Sequence, residues 1–238
     1  MELAIDTSTN IASIALADHG EIVADLKWQT HHNHTVELIP RLRELLDRNQ
    51  AVIRDISAII IASGPGSFNG LRVGMATAKG LAYALDCHLV AVGTLEAIAI
   101  AHAESAIPVC PILPAGRQEI ATATFRKVKG EWKKTVSEYI TTISALSAQI
   151  KSATLFCGEI TDEQKEELLQ SAGGFASFPG EMPACSRAGY LAVIGWCKIE
   201  ADETDEPSTI QPLYLRKPSI TRPKRRKNDA MSDMRARA

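Results

Sequence analysis

The first thirty residues alternate short apolar runs with turn residues. Leu3–Asp6, Ile11–Ala17 and Glu21–Trp28 read as three strands, separated by Thr7-Ser8-Thr9-Asn10 and Asp18-His19-Gly20. Connections this short join antiparallel neighbours. Between Thr35 and Asn49 the period changes. Leu38, Leu42, Leu45 and Leu46 recur at helical spacing among charges, with Thr35 as the expected N-cap. Pro40 lies too deep for a first turn, so a kink or a later start is expected. Ile56–Ala62 is a nearly unbroken apolar run, the mark of a strand covered on both faces. The glycine-rich block Gly64-Pro65-Gly66-Ser67-Phe68-Asn69-Gly70 then leads into a helix at Leu71–Leu85, a buried strand at Leu89–Val92 and a small-residue helix at Leu95–Glu104. The order βββαβαβα begins with an antiparallel meander and adds parallel strands through helical crossovers. That is an α/β protein with mixed sheets, and not a plain Rossmann alternation.

A second unit starts near Ile107-Pro108. Val109–Leu113, Glu119–Arg126 and Glu131–Val136 read as strands, with Lys129-Gly130 as a hairpin turn. Ile143–Ile150 and Thr161–Ser171 read as helices on either side of the strand Ala153–Cys157. Thr161, Asp162 and Glu163 supply a cap and first-turn acids for the second of these. Ser186–Glu200 is the last expected helix. The expected organisation is therefore two subdomains, residues 1–106 and 107–215, with the 186–200 helix a candidate to pack on the first. Residues 216–238 form a tail with too little apolar content for a core, expected to be disordered.

Composition narrows the class. Of 238 residues, 45% are hydrophobic and 23% charged, which excludes wholesale disorder and collagen. No apolar run approaches the ~18 residues of a membrane helix, and an acid stands at Glu2 where a signal peptide needs a base, so no membrane role is expected. Five cysteines, odd in number and without a Cys-x-x-Cys pair, read as free thiols of a reducing cytoplasm. The net charge of −2 conceals an asymmetry, because residues 216–238 carry nine Lys/Arg against two Asp. Such a tail could meet RNA through phosphate contacts, although it lacks aromatics for stacking, and a solubilising tail is the plainer reading.

Candidate chemistry gathers at two loops. Gly64, Gly66 and Ser67 sit between a buried strand and a helix N-terminus, where glycine lets a backbone approach phosphate. No Lys-Ser/Thr follows, so this is not a Walker loop. The last glycine spacing is one residue too long for the dinucleotide fingerprint. A tight structural turn is the competing reading. Asp6, Thr7, Ser8 and Thr9 offer an acid and three hydroxyls to a metal-bound phosphate, or simply form an Asx/Ser-Thr turn satisfying its own backbone. His31, His32 and His34 cluster without converging geometry, so no metal site is expected. Ser67, a histidine and Asp6 could be assembled into a nucleophilic site, but nothing marks a nucleophile elbow. Gly74, Ala76, Ala78, Gly80, Ala82 and Ala84 make the Leu71–Leu85 helix small on several sides, suited to its own sheet or to a partner subunit.

Three features together resemble the TsaB (YeaZ) family: Asp6-Thr7-Ser8-Thr9, the block from Gly64 through Leu71-Arg72-Val73-Gly74, and Pro212-Leu213-Tyr214-Leu215-Arg216. The resemblance covers residues 1–105 well, 107–200 weakly, and returns at 212–216. It implies the fold shared by actin, sugar kinases and Hsp70. It also implies a non-catalytic role in making threonylcarbamoyladenosine beside the tRNA anticodon. The implied partners are the catalytic paralogue TsaD, the ATPase TsaE and, for the chain alone, a second copy, with tRNA met through the complex. The implied interface is Arg72, Gly74, Met75, Ala78, Leu81 and Ala82, with Gly74→Leu or Ala78→Arg expected to weaken dimerisation and spare the folded chain. No cofactor of its own is implied; ATP or ADP would lie, if anywhere, at the interface of the complex. The catalytic paralogue carries His-x-x-x-His after the glycine-block helix and its following strand, where Thr94-Leu95-Glu96-Ala97-Ile98 stands here, so neither position can supply an imidazole. No catalytic residue is carried over. The chain departs from the family at Asn69, usually Thr, and at Pro114–Ala121, where an Asp-Ala-Arg followed by Glu-Val-Tyr is common. The rival readings are a small-molecule kinase of the same fold and a glycoprotease-like peptidase.

Overall fold

The computed structural model describes residues 1–30 and 33–216. His31, His32 and the expected disordered tail beyond Arg216 lie outside the described residues. Strands β1 (Glu2–Asp6), β2 (Ile11–Asp18) and β3 (Glu21–Gln29) form the expected meander. Helix α1 (His34–Arg48) follows, then β4 (Ala58–Gly64), α2 (Phe68–Leu85), β5 (His88–Gly93) and α3 (Thr94–Ile100). The second run repeats that plan with β6 (Val109–Pro114), β7 (Glu119–Val128), β8 (Glu131–Thr142), α4 (Ile143–Ser147), β9 (Thr154–Gly158), α5 (Asp162–Ser171), β10 (Ala176–Ser177) and α6 (Arg187–Glu200). The first sheet has the order β3-β2-β1-β4-β5 and the second β10-β9-β6-β7-β8. In both, the first strand pairs antiparallel with the second and parallel with the fourth.

Alternation along the strands sends apolar side chains to both faces of the first sheet. Leu3, Ile5, Ile59 and Ile61 meet Leu38, Leu42 and Leu45 of α1 and Met75, Ala78 and Ala82 of α2. Ala4, Ala15, Ala17, Ile60 and Ala62 face the other way, onto Ala188, Leu191 and Ala192 of α6. Alanines on both sides of that contact let the helix lie close to the sheet. Each fully buried Ile contributes about 1.5–3 kcal/mol through apolar burial. The second sheet is covered by α3 on one face, through Leu95, Ile98 and Ala99, and by α4 and α5 on the other. The third helix of each run thus packs on the sheet of the other run, and α3 and α6 touch. The free edge of β5 is sealed: Ala91 N–H donates to Asp205 (2.7 Å), and its carbonyl accepts from Lys198 Nζ (2.9 Å).

Several element expectations need correction. Asn33, not Thr35, holds the N-cap position of α1, and His34 already lies in the helix with Pro40 inside it. Helix α2 starts at Phe68, so the last three residues of the glycine block lie in its first turn; Ser67 caps it by accepting from Gly70 N–H. Helices α3 and α4 stop at Ile100 and Ser147, and β8 runs on to Thr142. Thr161 caps α5 in a full capping box with Gln164, as its position led one to expect.

Candidate functional site

The Asp6–Thr9 turn and the glycine block do meet, and glycine is what allows it. A Cβ on Gly66 would lie 2.3 Å from Ser8 O, one on Gly70 2.1 Å from Thr7 O, and one on Gly74 2.2 Å from Thr7 Oγ1. These three glycines, four residues apart, form one stripe pressed onto the turn. Ser67 N–H donates to Ser8 O (2.6 Å), and Thr7 Oγ1 to Gly70 O (2.8 Å). The block is therefore a close-packing device along α2. Of the residues expected at an interface, Gly74, Met75, Ala78 and Ala82 are buried against the chain's own turn and sheet, so Gly74→Leu or Ala78→Arg would disturb the fold itself rather than spare it. Leu81 is half-buried on the same core. Arg72 is exposed, its guanidinium over the Phe68 ring at 5.1 Å.

The turn's polar groups are engaged within the chain. Asp6 is fully buried, and its Oδ1 accepts from Ser8 N–H (2.8 Å) and Ser8 Oγ (2.5 Å). Its Oδ2 accepts from Nε of Arg187, the first residue of α6. The same guanidinium donates through Nη1 to Glu159 Oε1 (2.7 Å) and through Nη2 to Thr9 Oγ1 (2.6 Å) and to Ile11 O. Thr9 Oγ1 donates to Glu159 Oε1 (2.6 Å). Burial alone would lower the Arg187 pKa, but the Asp6 and Glu159 carboxylates outweigh it and hold the guanidinium above its ordinary value. His34 is buried, and its Nε2 donates to Thr9 O (3.0 Å).

A cleft of about 630 Å³ opens between the two sheets beside this turn. Ser8, Thr9, Gly66 and Ser67 line one wall, and Ala115, Gly116 and Ile140 the other. Leu213–Arg216 lie across it: Leu213 N–H donates to Ser63 O (2.7 Å), Tyr214 packs on Phe68 with ring centroids 5.0 Å apart, and Arg216 pairs with Glu119. Asp6, Thr7 and Gly64, expected near phosphate, do not line it. A second cavity of about 510 Å³, walled by Ala97, Ile98, Phe156 and Met182, lies beyond Glu159, which faces both. Thr94 and Ile98 are buried at the start and middle of α3. Among the described residues, no group of three or more His, Cys, Asp and Glu is placed to hold a metal, and no helix is long and apolar enough to cross a membrane.

Sequence reasoning missed Arg187 and Glu159. One signal was present: a cation in the first turn of a helix opposes the helix dipole, so Arg187 needed a carboxylate nearby.

A family model described as "TsaD: tRNA N6-adenosine threonylcarbamoyltransferase" matches residues 28–180. The "tRNA threonylcarbamoyladenosine biosynthesis protein TsaB" of Bacillus subtilis is 30% identical over 206 residues, covering 84% of this chain and 89% of the relative. The chain belongs to the TsaB family. The Haemophilus influenzae TsaB, 26% identical over 221 residues, spans 90% of this chain and 92% of its own length. In structure, YeaZ from Pseudomonas aeruginosa superposes with a TM-score of 0.70 at 23% identity, over 90% of this chain and 99% of that one. This chain thus has the expected actin-like, sugar-kinase type of fold, with two mixed sheets and a leading three-strand meander. The TsaD description extends into the second sheet, where the motif resemblance was weak.

Proposed function

We propose that this chain is a non-catalytic scaffold subunit in the making of tRNA threonylcarbamoyladenosine. It binds a TsaD-type catalytic paralogue, and the pair takes up a TsaE-type ATPase; alone, the chain pairs with a second copy. The observation that carries this reading is the fully buried Asp6 carboxylate, spent on Ser8 and Arg187. A kinase of this fold needs an open acid for a metal-bound phosphate, and here the chain's own guanidinium holds that acid. Thr94 and Ile98 in place of an imidazole pair support the same reading. The five free thiols suit a cytoplasmic setting.

The docking face we assign is the outer side of α1 and α2, not the inner one. Val36 is 73% exposed, Ile39 52% and Tyr83 87%, with Ala76 and Gly80 exposed beside them. Small residues between large apolar ones let a second helix pair approach closely. Tyr83→Glu combined with Ala76→Arg should weaken binding of a purified TsaD-type partner by about thirtyfold, the effect of losing about 2 kcal/mol at an interface hot spot. The thermal midpoint of the isolated chain should stay put. Analytical ultracentrifugation and calorimetry read both; unchanged affinity removes this face. Tight heat-producing binding of Mg-ATP by the isolated chain would overturn the scaffold reading in favour of a kinase.

A further inference from the structure

We propose that Arg187 is a latch between the two sheets, its guanidinium being the cation that ties the end of β1 to the end of β9 and fixes the spacing of the cleft walls. The proposal goes beyond the scaffold reading and is tested without any partner. Arg187 belongs to the first sheet by packing, since α6 lies across all five of its strands. Glu159 belongs to the second: it follows β9 directly, and its N–H donates to Ile112 O of β6 (2.9 Å). The contact between them is therefore a contact between the sheets.

The geometry separates a fixed leg from a releasable one. The fixed leg is Asp6, with no exposure and two further hydrogen bonds from Ser8. The releasable leg is Glu159, whose side chain is 24% exposed and faces cavities on both sides. When the latch opens, Arg187 stays with Asp6, while Glu159 parts from both Arg187 Nη1 and Thr9 Oγ1 and gains water. The first sheet keeps its ion pair, so neither sheet has to unfold. A planar fork with five donors reaches Asp6, Glu159, Thr9 and Ile11 O together; a lysine ammonium has three donors at one point and cannot.

The test is amide hydrogen exchange on the full chain, with small-angle scattering alongside. In Glu159→Gln, exchange in the cleft-wall segments 8–11 and 114–119 should rise about tenfold, while β4 and β7 keep wild-type protection. Arg187→Ala should show a larger rise in the same segments. Low-millimolar ethylguanidinium should reverse it where tetramethylammonium does not, and Arg187→Lys should behave like Arg187→Ala. Unchanged cleft exchange in Glu159→Gln overturns the latch. So does an equal rise throughout both sheets, which marks an ordinary stabilising ion pair. If Arg187→Ala does not fold, Glu159→Gln alone decides between these outcomes.

Discussion

The two sheets share one strand plan and differ in how tightly their first loop is closed. After β1, the Thr7–Asn10 turn is clamped by Gly66 just before an 18-residue helix and by Gly70 and Gly74 within it, by His34 and by Arg187. After β6, the corresponding Ala115–Gln118 loop has no such clamp: a Cβ on Gly116 would meet nothing within 4 Å. Its counterpart helix α5 has ten residues and buries only Leu168. One topology thus supports a rigid half and a permissive half. The Thr7–Asn10 turn is packed closed by the chain's own glycines, His34 and Arg187.

The sharpest way to break this comparison is Gly70→Ala. Its methyl would sit 2.1 Å from a backbone oxygen that cannot move aside, so a loss of about 3 kcal/mol or more, or failure to fold, is expected in denaturant titration. A loss under about 1 kcal/mol would show that the clamp yields. The second prediction concerns alkali. Burial pushes the Cys110 thiol, on β6, up to about 11, and raises Cys157, on β9, further. The unfolded thiols titrate near 9.0 while the folded ones stay neutral. Stability is therefore intact below pH 9 and declines as pH rises toward 11 and beyond. The thermal midpoint should fall by several degrees between about pH 8 and about pH 10.5, and Cys110→Ala with Cys157→Ala should flatten that decline. An equally steep decline in the double variant would move the alkali-sensitive groups elsewhere.

Smaller effects test the permissive half. Thr161→Ala removes one side of the α5 capping box and should cost about 1 kcal/mol by urea unfolding. Gly180→Ala meets open space and should change stability by less than about 0.5 kcal/mol. A Gly180 effect as large as that of Gly70 would erase the distinction between the halves.

What local pattern encodes was legible in the amino-acid sequence. The change from period two to period 3.6 marked α1, continuous apolar runs marked β4 and β5, and Thr161 with its acids marked the start of α5. The Thr94 and Ile98 substitutions were equally plain, because a missing imidazole needs no coordinates. The direction of the α2 stripe was not legible. With small residues on several sides, composition does not say which glycines face the turn or which side of the helix the chain's own sheet covers.

Sequence by itself determined the order of elements and the meander that opens the fold, since each rests on neighbours along the chain. Only the tertiary structure decided what Asp6 does. Its partner Arg187 stands 181 residues away, brought to it by a helix that packs on the opposite run's sheet. A buried charge is satisfied by whatever the fold places within hydrogen-bonding reach, and no local pattern encodes that choice.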